Sequence, residues 1–262
     1  MQQTNTLRKN TVMKLFDEDR ALDEFDQKMD LLNKETDINK QLQIFKEMQA
    51  IANNVSVLKG WPYNARVFWD KEAFFWKQRV EQRYREFILK EIITRINESA
   101  KRSILELGTG NTPYLKEAIN LDISHDMLAT IGVSERVEIA KIDNHDGYEN
   151  NTIKRIQANV EHSLPIKDNC VDAIVAVFLC NYIERIDVML AECMRVLKDE
   201  GKIVIVQSFA EVDNYHSLLE KHPAKELTLI LRTILNELGF KTQIDVKDVD
   251  KKTIVFISAT KS

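Results

Sequence analysis

Glycine and proline are scarce in this chain: seven and four among 262 residues, with none before Gly60. Without those breakers, little interrupts a helix over the first sixty residues. Cysteine is scarce as well. Cys170, Cys180 and Cys193 lie in apolar or helical contexts and form no CxxC pair. That excludes a disulfide scaffold or a thiolate metal framework and fits reduced, mostly buried thiols. Long apolar runs are missing too. The longest, Val171 to Leu179, contains Asp172 and is too short to cross a bilayer. The opening MQQTNTLRKN has no apolar core of the kind a secretion signal needs. Nor does charge of one sign dominate: a net charge of −4 and a pI near 5.8 give no strong attraction to phosphate backbones. We therefore expect a cytoplasmic protein with no membrane and no nucleic-acid partner.

What is present is helix first and strand later. Residues 7–58 read as helices, with apolar residues at steps of three and four in Leu22, Phe25, Met29, Leu32 and again in Leu42, Phe45, Met48, Ile51. Gly60-Trp61-Pro62 ends that region. A further helix is predicted over 71–98, with the stripe Trp76, Val80, Tyr84, Phe87, Ile88, Ile92. From Ser103, short β-branched runs alternate with helical stretches. Strands are predicted at 103–107, 118–122, 155–159, 171–178, 202–208, 242–248 and 252–259, and helices at 113–117, 124–130, 184–198 and 217–238. Continuous apolar strands separated by helices indicate a mostly parallel, doubly wound sheet. After Gly239, two strands follow with only a short connection, so one antiparallel strand is expected at the C-terminal end. The expected fold is α/β, a seven-stranded sheet with an N-terminal helical extension. The expected divisions are a helical extension at 1–60, a helical lid or linker at 61–100, and a Rossmann-like domain at 101–262.

The stretch SILELGTGNTPYLKEAINLDISHDML, residues 103–128, concentrates the chemistry. In an open α/β sheet, ligands lie beyond the carboxyl ends of the strands, where strand order reverses. Gly108 and Gly110 follow the first strand, where glycine lets a ligand approach bare backbone. Thr112 as N-cap and Pro113 as first helical residue would aim a short helix N-terminus at the same place. Asp122 ends the second strand, a position suited to accepting hydrogen bonds from a ribose diol. Gly-x-Gly alone also marks simple turns; the acid at the strand end strengthens the pairing.

On these residues the chain from about Trp61 resembles the class I S-adenosylmethionine-dependent methyltransferases of the small-molecule type. ILELGTGN resembles their first motif and LDISHDML their acidic-strand motif. QANVEHSLPIKDNCVDAIVAVFLCNYI resembles the third and fourth strands, LAECMRVLKDEGKIVIV the next helix, turn and strand, and LGFKTQIDV with KKTIVFISATK the final antiparallel pair. The resemblance implies S-adenosyl-L-methionine as cofactor. It implies that Glu106 and the backbone around Gly108, Thr109 and Gly110 hold the methionine part, and that Asp122 takes the ribose hydroxyls. Ile123 and Met127 would pack on the adenine, Asn159 and the Val160 backbone would receive its amino group, and Phe178 would border cofactor and acceptor. Two departures stand out. Only nine residues, Thr109 to Glu117, separate Gly108 from the second strand, and a helix of about six residues spans only about 9 Å, short for a parallel crossover. Asn159 stands where the family often has Asp, keeping a carbonyl acceptor without the charge.

Methyl transfer from a sulfonium is an in-line displacement, so alignment and desolvation supply much of the acceleration and a general base is optional. The sequence holds no recognisable catalytic cluster. FLCNYI lacks the Asn/Asp-Pro-Pro-Tyr motif of nucleic-acid amino methyltransferases, which with the acidic pI disfavours DNA and RNA as acceptors. Asn181 and Tyr182 are candidate substrate contacts or strand-end structure. Tyr63 and Trp69 are the candidate lid residues of an aromatic-rich stretch, whose competing account is ordinary core packing. His216 and Tyr182 are weak catalytic candidates, and a surface position is the competing account for His216. His125 is expected to face solvent. His145 lies in a DNHDG loop that does not meet the calcium pattern, so no metal is assigned. Two other functions remain open: a regulatory binding protein that keeps the fold, and a protein or peptide methyltransferase. The N-terminal helices are candidates for homodimerisation.

Overall fold

A computed structural model of the chain describes residues 2–79, 82–96, 103–115, 117–132, 154–209, 214–249 and 252–262. His145 and most of the long stretch after the second strand lie outside the described residues. The chain divides into two compact units, Met1–Phe68 with Val212–Leu219, and Trp69–Glu211 with Glu220–Ser262.

The first unit is built on helices α1 (Gln2–Lys34) and α2 (Ile38–Ala52). Asp37 caps α2 by accepting from the Asn39 and Lys40 N–H groups. The apolar stripes meet: Phe25, Met29 and Leu32 are buried with Ile44, Phe45 and Met48. Trp61 closes this core, its ring edge-on to Phe25 at 5.0 Å and tilted on Phe45 at 4.7 Å. For Trp61, core packing is therefore the right account.

Helix α3 (Ala65–Arg79) begins in the first unit and continues into the second. The single helix predicted over 71–98 is two, α3 and α4 (Gln82–Ile96). On α4, residues Tyr84, Ile88, Ile92 and Ile96 recur every four positions and are buried.

The second unit is a seven-stranded sheet of β1 (Ile104–Leu107), β2 (Ile119–Asp122), β3 (Arg155–Gln157), β4 (Val171–Val177), β5 (Leu197–Ser208), β6 (Phe240–Val249) and β7 (Lys252–Lys261). Their spatial order is β3-β2-β1-β4-β5-β7-β6. β1 to β5 pair in parallel, and β7 runs antiparallel to both β5 and β6. The one antiparallel strand is the chain's last, and it lies inside the sheet rather than at its edge. Strand order reverses between β1 and β4, which puts the switch point beside the Gly108 turn.

Alternation along the central strands feeds two cores. Leu105, Leu107, Ile174, Ile203 and Ile205 face the cluster that includes α6 (Ile186–Val196) and α7 (Ala224–Glu237), whose Leu227, Leu231 and Leu235 are buried. Ala173, Val175, Val204, Val206 and Phe256 face α4. A fully buried Leu contributes about 1.5–3 kcal/mol. Helix α5 (His125–Thr130) is capped by Ser124, which accepts from the Met127 N–H.

Two predicted helices need correction. Residues 217–238 are not one helix: a short 3-10 turn, Tyr215–Leu219, precedes α7, and Pro223 stands at the α7 N-cap, where its ring restricts the residue before it. The described residues of 113–117 form no helix. Their peptide groups bond to side chains instead, as set out below.

Candidate cofactor site

The turn after β1 is wound tightly. Gly108 and Gly110 both have φ of +59°, a conformation that side chains disfavour. A Cβ on Gly108 would lie 2.5 Å from Leu179 Cδ1, and one on Gly110 would lie 3.1 Å from Trp76 Nε1. Between them, the Thr109 N–H donates to the Leu121 carbonyl at 3.2 Å, tying the turn to β2.

Asp122 ends β2 and is 7% exposed. Its Oδ2 accepts from the Gly110 N–H at 2.8 Å and its Oδ1 from the Ser124 N–H at 2.9 Å. Burial raises its pKa, the Ser124, Gly110 and Ile123 N–H groups oppose that rise, and the Asp70 carboxylate adds to it. Two bonds leave an ionised carboxylate further lone pairs for a ligand.

Glu106, at the end of β1, is 2% exposed. Its carboxylate accepts from the Tyr114 N–H at 2.9 and 3.1 Å, the Leu115 N–H at 3.1 Å and Thr109 Oγ1 at 3.4 Å. Burial pushes its pKa up to about 7 in spite of those donors. From α4, Arg85 donates to the carbonyls of Thr112, at 2.6 Å, and Pro113. Its guanidinium lies over the Tyr114 ring, 4.6 Å from the centroid. Burial raises the Tyr114 hydroxyl to about 12.

Helix α3 covers the same turn. Ser124 Oγ donates to Asp70 Oδ1 at 2.7 Å, and Asn111 Nδ2 donates to the Ala73 carbonyl at 2.7 Å. Trp69 packs edge-on against Trp76 at 5.5 Å and against Tyr182 at 5.2 Å. A cavity of about 230 Å³ lies between α4 and the ends of β1, β4 and β5. Glu106, Gly108, Thr109, Trp76, Arg85 and Phe178 are among its lining residues. Phe178 has φ of +52°, a strained conformation for an aromatic residue, held by its N–H bond to the Val206 carbonyl at 2.9 Å.

Of the expected cofactor residues, Glu106, Gly108, Thr109 and Phe178 line that cavity, and Gly110, Asp122, Ile123, Met127, Asn159 and Val160 are not among its lining residues. Ile123 is half-buried beside Asp122, and Met127 is buried with its sulfur 3.9 Å from the Gly110 Cβ position. Asn159 follows β3; its Oδ1 accepts from the Glu161 N–H at 2.9 Å and so shapes the turn that carries buried Val160. Asn181 is buried, donates to Glu220 Oε1 at 3.1 Å, and its Oδ1 has no hydrogen-bond partner among the described residues. His125 is exposed, as expected. Tyr63 belongs to the first unit, where it is 72% exposed.

His216 is buried and not a surface residue. It lies in the first unit, 3% exposed, stacked on Tyr215 at 4.4 Å and edge-on to Phe68 at 5.8 Å. Its Nδ1 is 2.9 Å from Asn214 Oδ1, so packing fixes the ring within a core. Sequence reasoning missed Asp70, Arg85 and Asn111, because helical periodicity identifies a polar face and not what that face meets.

Residues 105–205 match the family described as "Methyltransferase domain". That stretch is similar to methyltransferase domains. Among curated relatives, the ubiquinone/menaquinone biosynthesis C-methyltransferase of Agrobacterium fabrum is 34% identical over 114 residues, 40% of each chain. The phosphatidylethanolamine N-methyltransferase of Cereibacter sphaeroides is 25% identical over 152 residues, 56% of this chain and 66% of that protein. The chain thus spans less than two thirds of the length of either relative. A SAM dependent methyltransferase from Aquifex aeolicus superposes with a TM-score of 0.51 at 20% identity, over 71% of this chain and 96% of that one. The matched residues include the glycine turn, Asp122, Asn159 and Phe178; Asp70, Trp76 and Arg85 precede them.

Proposed function

We propose that this chain transfers the methyl group of S-adenosylmethionine to a small-molecule acceptor. The observation that carries this reading is Asp122, fixed at the end of β2 by the N–H of the glycine turn. When bound, that cofactor supplies a methyl electrophile on a sulfonium, open to in-line displacement by an acceptor lone pair.

The donor set suits such a ligand. Asp122 offers buried, oriented acceptors for a ribose diol. Glu106, facing the cavity, offers a carboxylate to the ammonium of the methionine part. Trp76 lies against Gly110 and lines the cavity, where it excludes water. Asn181, whose buried Oδ1 has no partner among the described residues, is the candidate to orient an acceptor that donates a hydrogen bond. The small-molecule acceptor draws support from a curated relative whose name places it in quinone biosynthesis.

The test has two steps. Calorimetric titration with S-adenosylmethionine should show binding that Asp122→Ala abolishes; absence of binding to the wild-type protein would end this reading. Labelled methyl transfer into a metabolite extract, with mass identification of the product, should then name the acceptor. Binding without transfer into any extract would favour a regulatory protein that keeps the fold.

A further inference from the structure

The short connection between β1 and β2 leaves the glycine turn without its crossover helix, yet the turn is not loose. Residues Thr112 to Leu115 run between the Arg85 guanidinium and the Glu106 carboxyl group. On one side Arg85 donates to the carbonyls of Thr112 and Pro113. On the other, the N–H groups of Tyr114 and Leu115 donate to the Glu106 carboxylate. The Pro113 carbonyl and the Tyr114 N–H are the two ends of one peptide group. That peptide is therefore held from both sides, a guanidinium at its oxygen and the Glu106 carboxyl oxygens at its hydrogen. Hydrogen bonds in such a chain strengthen one another, and bonds to charged groups are about twice as strong as neutral ones.

The geometry points to Arg85 as a positioning residue for the cofactor turn, a strut from α4 that replaces the missing crossover helix and, through the 112–115 backbone, sets the Glu106 carboxylate. Three features support the strut. Arg85 is 27 and 28 residues from its acceptors, so it joins two elements and does not merely cap its own helix. Its planar fork serves two successive carbonyls, which a lysine ammonium on a flexible stem does less well. Its guanidinium also lies over the Tyr114 ring, 4.6 Å from the centroid, a further contact with the segment it holds. The inference about ligand binding rests on the proposed function; the inference about the turn does not.

The experiment follows amide hydrogen exchange in the ligand-free protein, together with calorimetry of S-adenosylmethionine. In Arg85→Met, which keeps an apolar stem against Tyr114 and removes every donor, the Tyr114 and Leu115 amides should exchange about ten-fold faster or more. Amides in β4 and β5 should be unchanged, and cofactor affinity should fall about ten-fold. Arg85→Lys should recover part of both effects. Wild-type exchange at Tyr114 and Leu115 in Arg85→Met would overturn the strut. If Arg85→Met does not fold, Arg85→Lys decides: exchange at both amides equal to wild type overturns the inference, and selective acceleration there supports it. Should the wild-type protein bind no cofactor, the proposed function falls while the exchange measurement still decides the role of Arg85.

Discussion

The Gly110 N–H donates to Asp122 Oδ2 at 2.8 Å across twelve residues of chain, so the cofactor turn and the acid beside it form one unit. Asp122→Asn places an amide where the carboxylate meets two N–H donors, from Gly110 and Ser124. One of those donors then faces another donor. The expected cost is about 1–3 kcal/mol of stability, read by chemical denaturation, since a buried donor left unmet carries its desolvation penalty. Cofactor affinity should fall about ten- to a hundred-fold by calorimetry. Unchanged affinity would remove Asp122 from the site.

Gly108 has no room for a side chain. Its φ of +59° costs an L-residue about 1–2 kcal/mol, and an added methyl meets Leu179 Cδ1 at 2.5 Å. Gly108→Ala should lose at least about 2 kcal/mol of stability. Leu179→Ala in the same chain should return part of that loss, because the clash is with the movable end of one side chain. A double-mutant cycle measures this directly, and strict additivity would refute the contact.

The cysteines should separate cleanly. Burial pushes the Cys180 thiol up to about 12 and raises Cys193 as well, so neither presents a thiolate near neutrality. Cys170 is half-buried, its Sγ within 2.9 Å of the Lys167 carbonyl. A thiol reagent should modify one cysteine in the native protein and three in denaturant. Native modification of Cys180 or Cys193 would contradict their burial.

Legibility in the sequence followed the range of the interactions. The sheet could be read because Ile174–Val177, Ile203–Val206 and Ile254–Ile257 are continuous apolar runs that only a doubly covered sheet accommodates. The antiparallel finish could be read because the β6–β7 connection is too short for a crossover. Asp122 could be read because it ends a strand. The failures came where distant side chains decide a local conformation. Thr112-Pro113 is a sound helix start, but Arg85 takes the carbonyls and Glu106 the N–H groups that a helix would use internally. Asp70 reaches Ser124 across 54 residues, and no periodicity announces that. His216 drew notice for its titration range, whereas its aromatic neighbours Tyr215 and Phe68 make it a core residue.

Glu106 should make stability depend on pH in an unusual direction. In the unfolded chain its carboxyl ionises at the ordinary 4.5, while the buried, folded group holds its proton up to about 7. Between those values the native state binds more protons, so this residue's contribution to stability falls as pH rises. The fall amounts to about 3 kcal/mol and is complete above about pH 7. Glu106→Gln keeps an acceptor for the Tyr114 and Leu115 N–H groups and cannot ionise. The difference in unfolding free energy between the two proteins, followed from pH 4 to pH 8, should therefore change by that amount and then level off. The same group gives the cofactor reading its own signature. An ammonium partner favours the carboxylate, so S-adenosylmethionine should bind more tightly as pH rises from 6 to 8, with proton release near pH 6. Calorimetry in buffers of different ionisation enthalpy measures that proton. Binding with no proton released, and equally tight at both ends of the range, would place the ammonium away from Glu106.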